Sequence, residues 1–153
     1  MLAATVLLIL VRSSAAETIA GHARVIDGDT IEIGGERIQI LDIDAPEMPQ
    51  LCEGGDGVVY RCGEKAMRDL ARWIGTQVVT CETLRGTAQL SYLARCVAGD
   101  SDVAAWLAES GLAVPGRDCK CEVVREAADR AKAAKRGLWA GPFDLPWAWR
   151  ENH

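Results

Sequence analysis

Two short acidic segments carry the residues best suited to chemistry. The first is Asp27-Gly28-Asp29-Thr30 and the second is Asp42-Ile43-Asp44-Ala45-Pro46-Glu47. The first reads as the corner between two strands. The second reads as the end of a third strand, because Pro46 cannot donate to a further ladder. Carboxylates at two strand ends can converge on one hard cation, and oxygen-only ligands favour Ca²⁺ or Mg²⁺ over zinc. A Glu beside such a cation is placed to deprotonate water for attack on a phosphodiester. The plainer reading is ordinary turn chemistry on a solvated surface, since Asp-Gly and Asp-Ala-Pro are common in turns.

The elements that must position these groups follow from periodicity. Thr18–Asp27, Thr30–Ile33 and Arg37–Ile43 read as three strands, with Gly34-Gly35 turning the hairpin between the last two. Alternation alone places Gln39 and Asp44 on opposite faces of the third strand. Ala66, Met67, Leu70, Ala71 and Ile74 form an apolar stripe at helical spacing over Cys62–Gly75. Val78–Thr83 and Ser91–Ala98 read as two further strands. A short helix is expected from the cap Ser101 to Glu109, and a third over Glu122–Lys135 with Val123, Ala127, Ala131 and Ala134 on its inner side. Five strands with helices at this spacing predict a small closed barrel of OB type in a single domain over 17–153.

The chain has 153 residues and a net charge of −5. Broad electrostatic binding of a phosphate backbone is therefore disfavoured. Leu2–Val11 is apolar but too short to span a bilayer. Followed by Ser14 and Ala16, it reads as a secretory signal over 1–16, giving a periplasmic or secreted protein. Six cysteines (52, 62, 81, 96, 119 and 121) fit an oxidising compartment. Cys52 and Cys62 are suited to clip one loop, and Cys81 and Cys96 flank a hairpin. Sequence alone leaves fifteen pairings open. A lone internal histidine, His22, offers neither a triad nor a metal pair. Trp147 and Trp149, after Pro146 and beside Arg150, read as a C-terminal clamp on the barrel or, alternatively, as a stacking platform for sugar rings.

Four motifs, taken together, carry a resemblance. Val25-Ile26-Asp27-Gly28-Asp29-Thr30, Ile43-Asp44-Ala45-Pro46-Glu47, Cys62-Gly63-Glu64-Lys65-Ala66 and Arg136-Gly137-Leu138-Trp139 resemble the staphylococcal nuclease (thermonuclease) family, over about Gly21 to Trp139. The resemblance implies an OB barrel with three helices. It implies Ca²⁺ ligation by Asp29, Asp44 and the Ala45 carbonyl, support from Asp27, and Glu47 as general base. The cysteines and the Pro146-Trp147-Ala148-Trp149-Arg150 end resemble secreted alphaproteobacterial members, one of which is encoded with genes for the exopolysaccharide succinoglycan.

Two arginines of the family's catalytic set have no counterpart, because their positions are Gln39 and Ser91. Attack on a phosphodiester builds negative charge that a guanidinium meets with paired charged donors. Removing one preorganised donor costs on the order of 10²–10³ in rate. Arg37 lies two residues before Gln39 on the same face, about 6.6 Å away; Arg85 and Arg95 lie near Ser91. All three are expected to be ordinary surface residues. The expected function is therefore a degenerate nuclease-fold protein, monomeric, assisting exopolysaccharide (succinoglycan) biosynthesis, with polysaccharide or envelope biosynthesis proteins as partners and a vestigial Ca²⁺ site. The alternative is a Ca²⁺-dependent nuclease hydrolysing DNA or RNA.

Overall fold

A computed structural model describes residues 16–84 and 91–153. The expected secretory signal over 1–16, apart from its last residue, and Arg85 lie outside the described residues. Five strands build the barrel: β1 Thr18–Val25, β2 Thr30–Ile33, β3 Glu36–Ile40, β4 Val78–Thr83 and β5 Tyr92–Ala98. β1 pairs antiparallel with β2 and with β4, β2 with β3, and β4 with β5. A parallel pairing of β3 with β5, Ile38 opposite Tyr92, closes the sheet on itself. Closure removes the exposed edges of an open sheet. The expected barrel is present.

Alternation fills its interior. Ile31, Ile33, Ile38 and Ile40 face inward with Val79, Ala94 and Ala98, all buried. Cys81 and Cys96 stand opposite each other on β4 and β5 and form a disulfide inside that core. Cys52–Cys62 and Cys119–Cys121 are the other two disulfides. The first ties one strand of a small hairpin, Leu51–Glu53 against Val59–Arg61, to the residue that follows the other strand; periodicity did not reveal this hairpin.

Three helices cover the barrel, as expected: α1 Cys62–Ile74, α2 Val103–Glu109 and α3 Glu122–Ala133. α1 buries Ala66, Leu70 and Ile74, whereas Ala71 of the expected stripe is exposed. Trp73 of α1 stacks on Trp106 of α2 at 4.2 Å between ring centroids. On α3 the buried stripe is Val124, Ala127, Ala128 and Ala131. Val123 and Ala134 are exposed, correcting the expected inner side. The i, i+3, i+4, i+7 set starting at Val124 packs inward, chiefly against α2, and Val123 lies about 100° around the helix from it. Arg130 of α3 and Arg136 just beyond it both hold Glu109 of α2, which lowers the pKa of that carboxyl.

A fourth helix, α4 Pro146–Asn152, was not expected. Its Pro146 takes the first helical position, where the missing N–H costs nothing. Trp147 packs against a satellite cluster of Cys52, Cys62, Val114 and Leu138, so this indole does clamp the C-terminus to the body. Arg117 lies over the same ring at 5.5 Å. Trp149 stacks on His153.

One boundary matters for the site. β3 ends at Ile40, not Ile43, because Asp42 adopts φ 74°. Asp is among the few residues that enter this left-handed region readily. The bend sends Ile43–Asp44 out of the barrel ladder to pair with Val114–Pro115.

Candidate functional site

The two acidic segments meet at one end of the barrel. The turn from β1 to β2 is closed by Asp27, whose Oδ1 accepts the Asp29 N–H at 3.1 Å. This is the local bond that makes Asp common in turns. Asp29 Oδ1 accepts the Thr30 hydroxyl at 3.1 Å, and its Oδ2 accepts the Ala45 N–H at 2.9 Å. That last bond ties the first segment directly to the second. The bend at Asp42 takes this segment out of the barrel ladder, so the alternation that separates Gln39 from Asp44 in a continuous strand does not apply.

Glu47 is held from three sides. Its N–H donates to Gln50 Oε1 at 3.2 Å, and its carbonyl accepts the Gln50 N–H at 2.8 Å. Gln50 is fully buried, and its Nε2 donates to the Asp144 carbonyl at 2.7 Å, just before α4. Beneath the turn, α1 begins with Gly63, where an added Cβ would lie 2.0 Å from the Glu47 carbonyl oxygen. The close approach of helix to turn therefore requires glycine here.

These groups open on a cavity of about 410 Å³. Asp27, Asp29, the Ala45 segment and Glu47 form its acidic wall. Gln39, opposite Thr30 in the β2–β3 ladder, and Ser91 line it too, so both positions where an arginine was expected to be missing do face the site. Arg95, weighed as a substitute, instead pairs with Asp42 at 3.2 Å.

The expectation that no guanidinium reaches this pocket fails. Arg37 lines it, with Nη2 3.7 Å from Asp27 Oδ2. Arg150 enters from α4 and makes three short bonds. Nη1 donates to Asp44 Oδ1 at 2.9 Å and to Glu47 Oε1 at 2.8 Å, and Nη2 donates to Asp44 Oδ2 at 2.7 Å. The paired geometry on Asp44 is the strong form of a charged hydrogen bond. These bonds raise the Arg150 pKa above its ordinary value, Asp44 contributing most. Sequence reasoning missed Arg150 and Gln50. The sequence offered for Arg150 only its place beside the two tryptophans, which names no partner.

Among the described residues no guanidinium is paired with Asp29. Burial pushes its pKa up to about 7; the charges of Asp27 and Asp44 add to the rise, and the Ala45 N–H opposes it. A partly buried carboxylate crowded by two others fits a hard cation, and Asp29, Asp44 and the Ala45 carbonyl are the oxygens available to one. Both Asp44 oxygens are engaged by Arg150 in this structure. A second cluster, Asp42 with Cys119 and Cys121, has its two sulfurs joined to each other and is no metal site as it stands. Elsewhere, His22 is an exposed residue of β1, and Asp56 closes its own loop by accepting the Val58 N–H.

The chain is similar to known proteins over most of its length. It is 39% identical over 129 residues to the succinoglycan biosynthesis protein ExoI of Rhizobium meliloti (strain 1021), covering 83% of this chain and 68% of that protein. It is 30% identical over 169 aligned positions to protein ParB of Escherichia coli, covering 98% of this chain and 89% of that one. The family described as staphylococcal nuclease homologues matches residues 37–141, which take in the bend, the acidic second segment, α1 and the closing strands. With the closed barrel and the acidic pocket at its end, these matches establish that the chain belongs to the staphylococcal nuclease homologue family.

Proposed function

We propose that this chain is an exported nuclease-fold protein that assists exopolysaccharide biosynthesis of the succinoglycan type, and that it is not an efficient nuclease. The carrying observation is the charge arrangement of the pocket. Gln39 and Ser91 bring no guanidinium to it, and among the described residues the guanidinium in short contact with the acidic wall, Arg150, is spent on Asp44 and Glu47. A guanidinium bound in this way has fewer donors left for a phosphate. Similarity to a succinoglycan biosynthesis protein supports the process. Three disulfides support export to an oxidising compartment, and among the described residues no helix is long and apolar enough to cross a membrane. In this reading residues 1–16 are the export signal and the partners are polysaccharide or envelope biosynthesis proteins. Asp29, Asp44 and the Ala45 carbonyl, supported by Asp27, hold a Ca²⁺ that does little chemistry.

A second reading is favoured by Arg37 and Arg150 on the pocket wall. Here the chain is a Ca²⁺-dependent phosphodiesterase. The ion polarises the phosphate and Glu47 takes the proton from water. The two arginines meet the developing charge from new positions.

Purified protein incubated with single-stranded DNA and Ca²⁺, with and without chelator, separates the readings. The first expects no chelator-sensitive cleavage, and expects Gln39→Arg with Ser91→Arg to create it. It also expects a strain lacking the gene to regain polysaccharide output when supplied with the Glu47→Gln variant. Rapid cleavage by the wild-type protein, lost in Glu47→Gln, favours the second.

A further inference from the structure

The pocket already contains a cation, and that cation belongs to the chain itself. Arg150 takes both oxygens of Asp44 and one of Glu47. Its side chain is 45% exposed, while that of Asp44 is 13% exposed. The guanidinium therefore reaches in from the surface to a largely buried carboxylate. It is carried by α4, seven residues at the end of the chain. Contacts upstream of the arginine tether that helix to the body. Gln50 holds the Asp144 carbonyl, and Trp147 packs on the satellite cluster. Beyond Ala148 the helix is held by the bonds of Arg150 and by the pair between Glu151 and Arg117.

A hard divalent ion among Asp29, Asp44 and the Ala45 carbonyl needs an Asp44 oxygen that Arg150 now holds. Two cations on one carboxylate also repel each other in a half-buried site. We propose that Arg150 and a divalent cation occupy the pocket alternately. The end of α4 then acts as a tethered latch, closed on Asp44 and Glu47 in the metal-free protein and displaced when the ion binds. The inference rests on the pocket being a cation site, as read above, and adds its regulation: the closed latch lowers the apparent affinity for the ion by the fraction of molecules left open.

Calorimetric titration of the whole chain with CaCl₂ tests it. Three charge-assisted bonds from a half-exposed donor predict that Arg150→Ala binds Ca²⁺ roughly tenfold more tightly than the wild type. Arg150→Lys, which keeps the charge but loses the paired geometry, is expected between the two. Hydrogen exchange gives a second readout: amides near the end of α4 are expected to exchange faster in saturating Ca²⁺ than in chelator. Equal or weaker Ca²⁺ binding by Arg150→Ala overturns the proposal, as does unchanged exchange in α4. Absence of Ca²⁺ binding in Arg150→Ala also overturns it, by removing the competitor. DNA cleavage by the wild type would instead strike at the proposed function and leave the competition intact.

Discussion

Replacing Asp29 by Asn should make the metal-free protein more stable at neutral pH and leave it nearly unchanged in acid. Asp29 holds its proton up to about pH 7 in the folded chain, against an ordinary value of 3.8, because burial and the charges of Asp27 and Asp44 disfavour the anion. Between those values the folded state binds a proton that the unfolded chain has released. Stability therefore falls as pH rises, by at most about 1.4 kcal/mol per pH unit. From pH 4 to pH 7 the loss sums to as much as about 4 kcal/mol, and above pH 7 the slope from this group ends because both states are ionised. Asn at this position still offers an oxygen to the Ala45 N–H and carries no charge. Urea unfolding in chelator, with disulfides intact, should show Asp29→Asn matching the wild type near pH 4. The variant should exceed it by a few kcal/mol at pH 8. Saturating Ca²⁺ at pH 8 should narrow the gap by stabilising the wild type alone. A difference that does not vary between pH 4 and pH 8, or a variant that is less stable at pH 8, would refute the account of this pocket.

Gly63→Ala should push the Glu47 turn off α1, since the new Cβ meets a backbone carbonyl rather than a flexible side chain. Loss of Ca²⁺ binding with the far-UV spectrum retained would check this. Cys52→Ser with Cys62→Ser opens a loop of sequence separation 10. Chain entropy puts the cost at about 3 kcal/mol, measured by urea unfolding against the oxidised wild type. Leu70→Ala, at a fully buried position of α1, should cost about 2–5 kcal/mol and lower the melting temperature. Trp147→Ala should loosen α4, so that its amides lose exchange protection even without Ca²⁺.

Much of the fold was legible because it rests on local periodicities. Alternation in Thr30–Ile33 and Val78–Thr83, and the stripe Ala66, Leu70 and Ile74, each state which face is buried. What misled was any feature depending on one residue's backbone or on a one-position phase. Asp42 at φ 74° ended a strand that reads as continuous, and on α3 Ala127 and Ala131 face inward as expected while Val124 and Ala128 stand there in place of Val123 and Ala134. The small hairpin closed by Cys52–Cys62 has strands too short for alternation to register.

The site divides the same way. By themselves, the residues announced the acidic wall, because its carboxylates sit in two compact segments where turn chemistry and ligand chemistry are both local. They also announced that Gln39 and Ser91 carry no positive charge. The source of the pocket's charge was decided by tertiary structure alone. Arg150 lies 106 positions from Asp44 in the chain, and nothing in its neighbourhood names a partner. Barrel closure, the bend at Asp42 and the docking of α4 bring the two within a hydrogen bond. Contacts at such separation depend on how whole elements pack, and packing is set by the sum of many buried surfaces rather than by any motif.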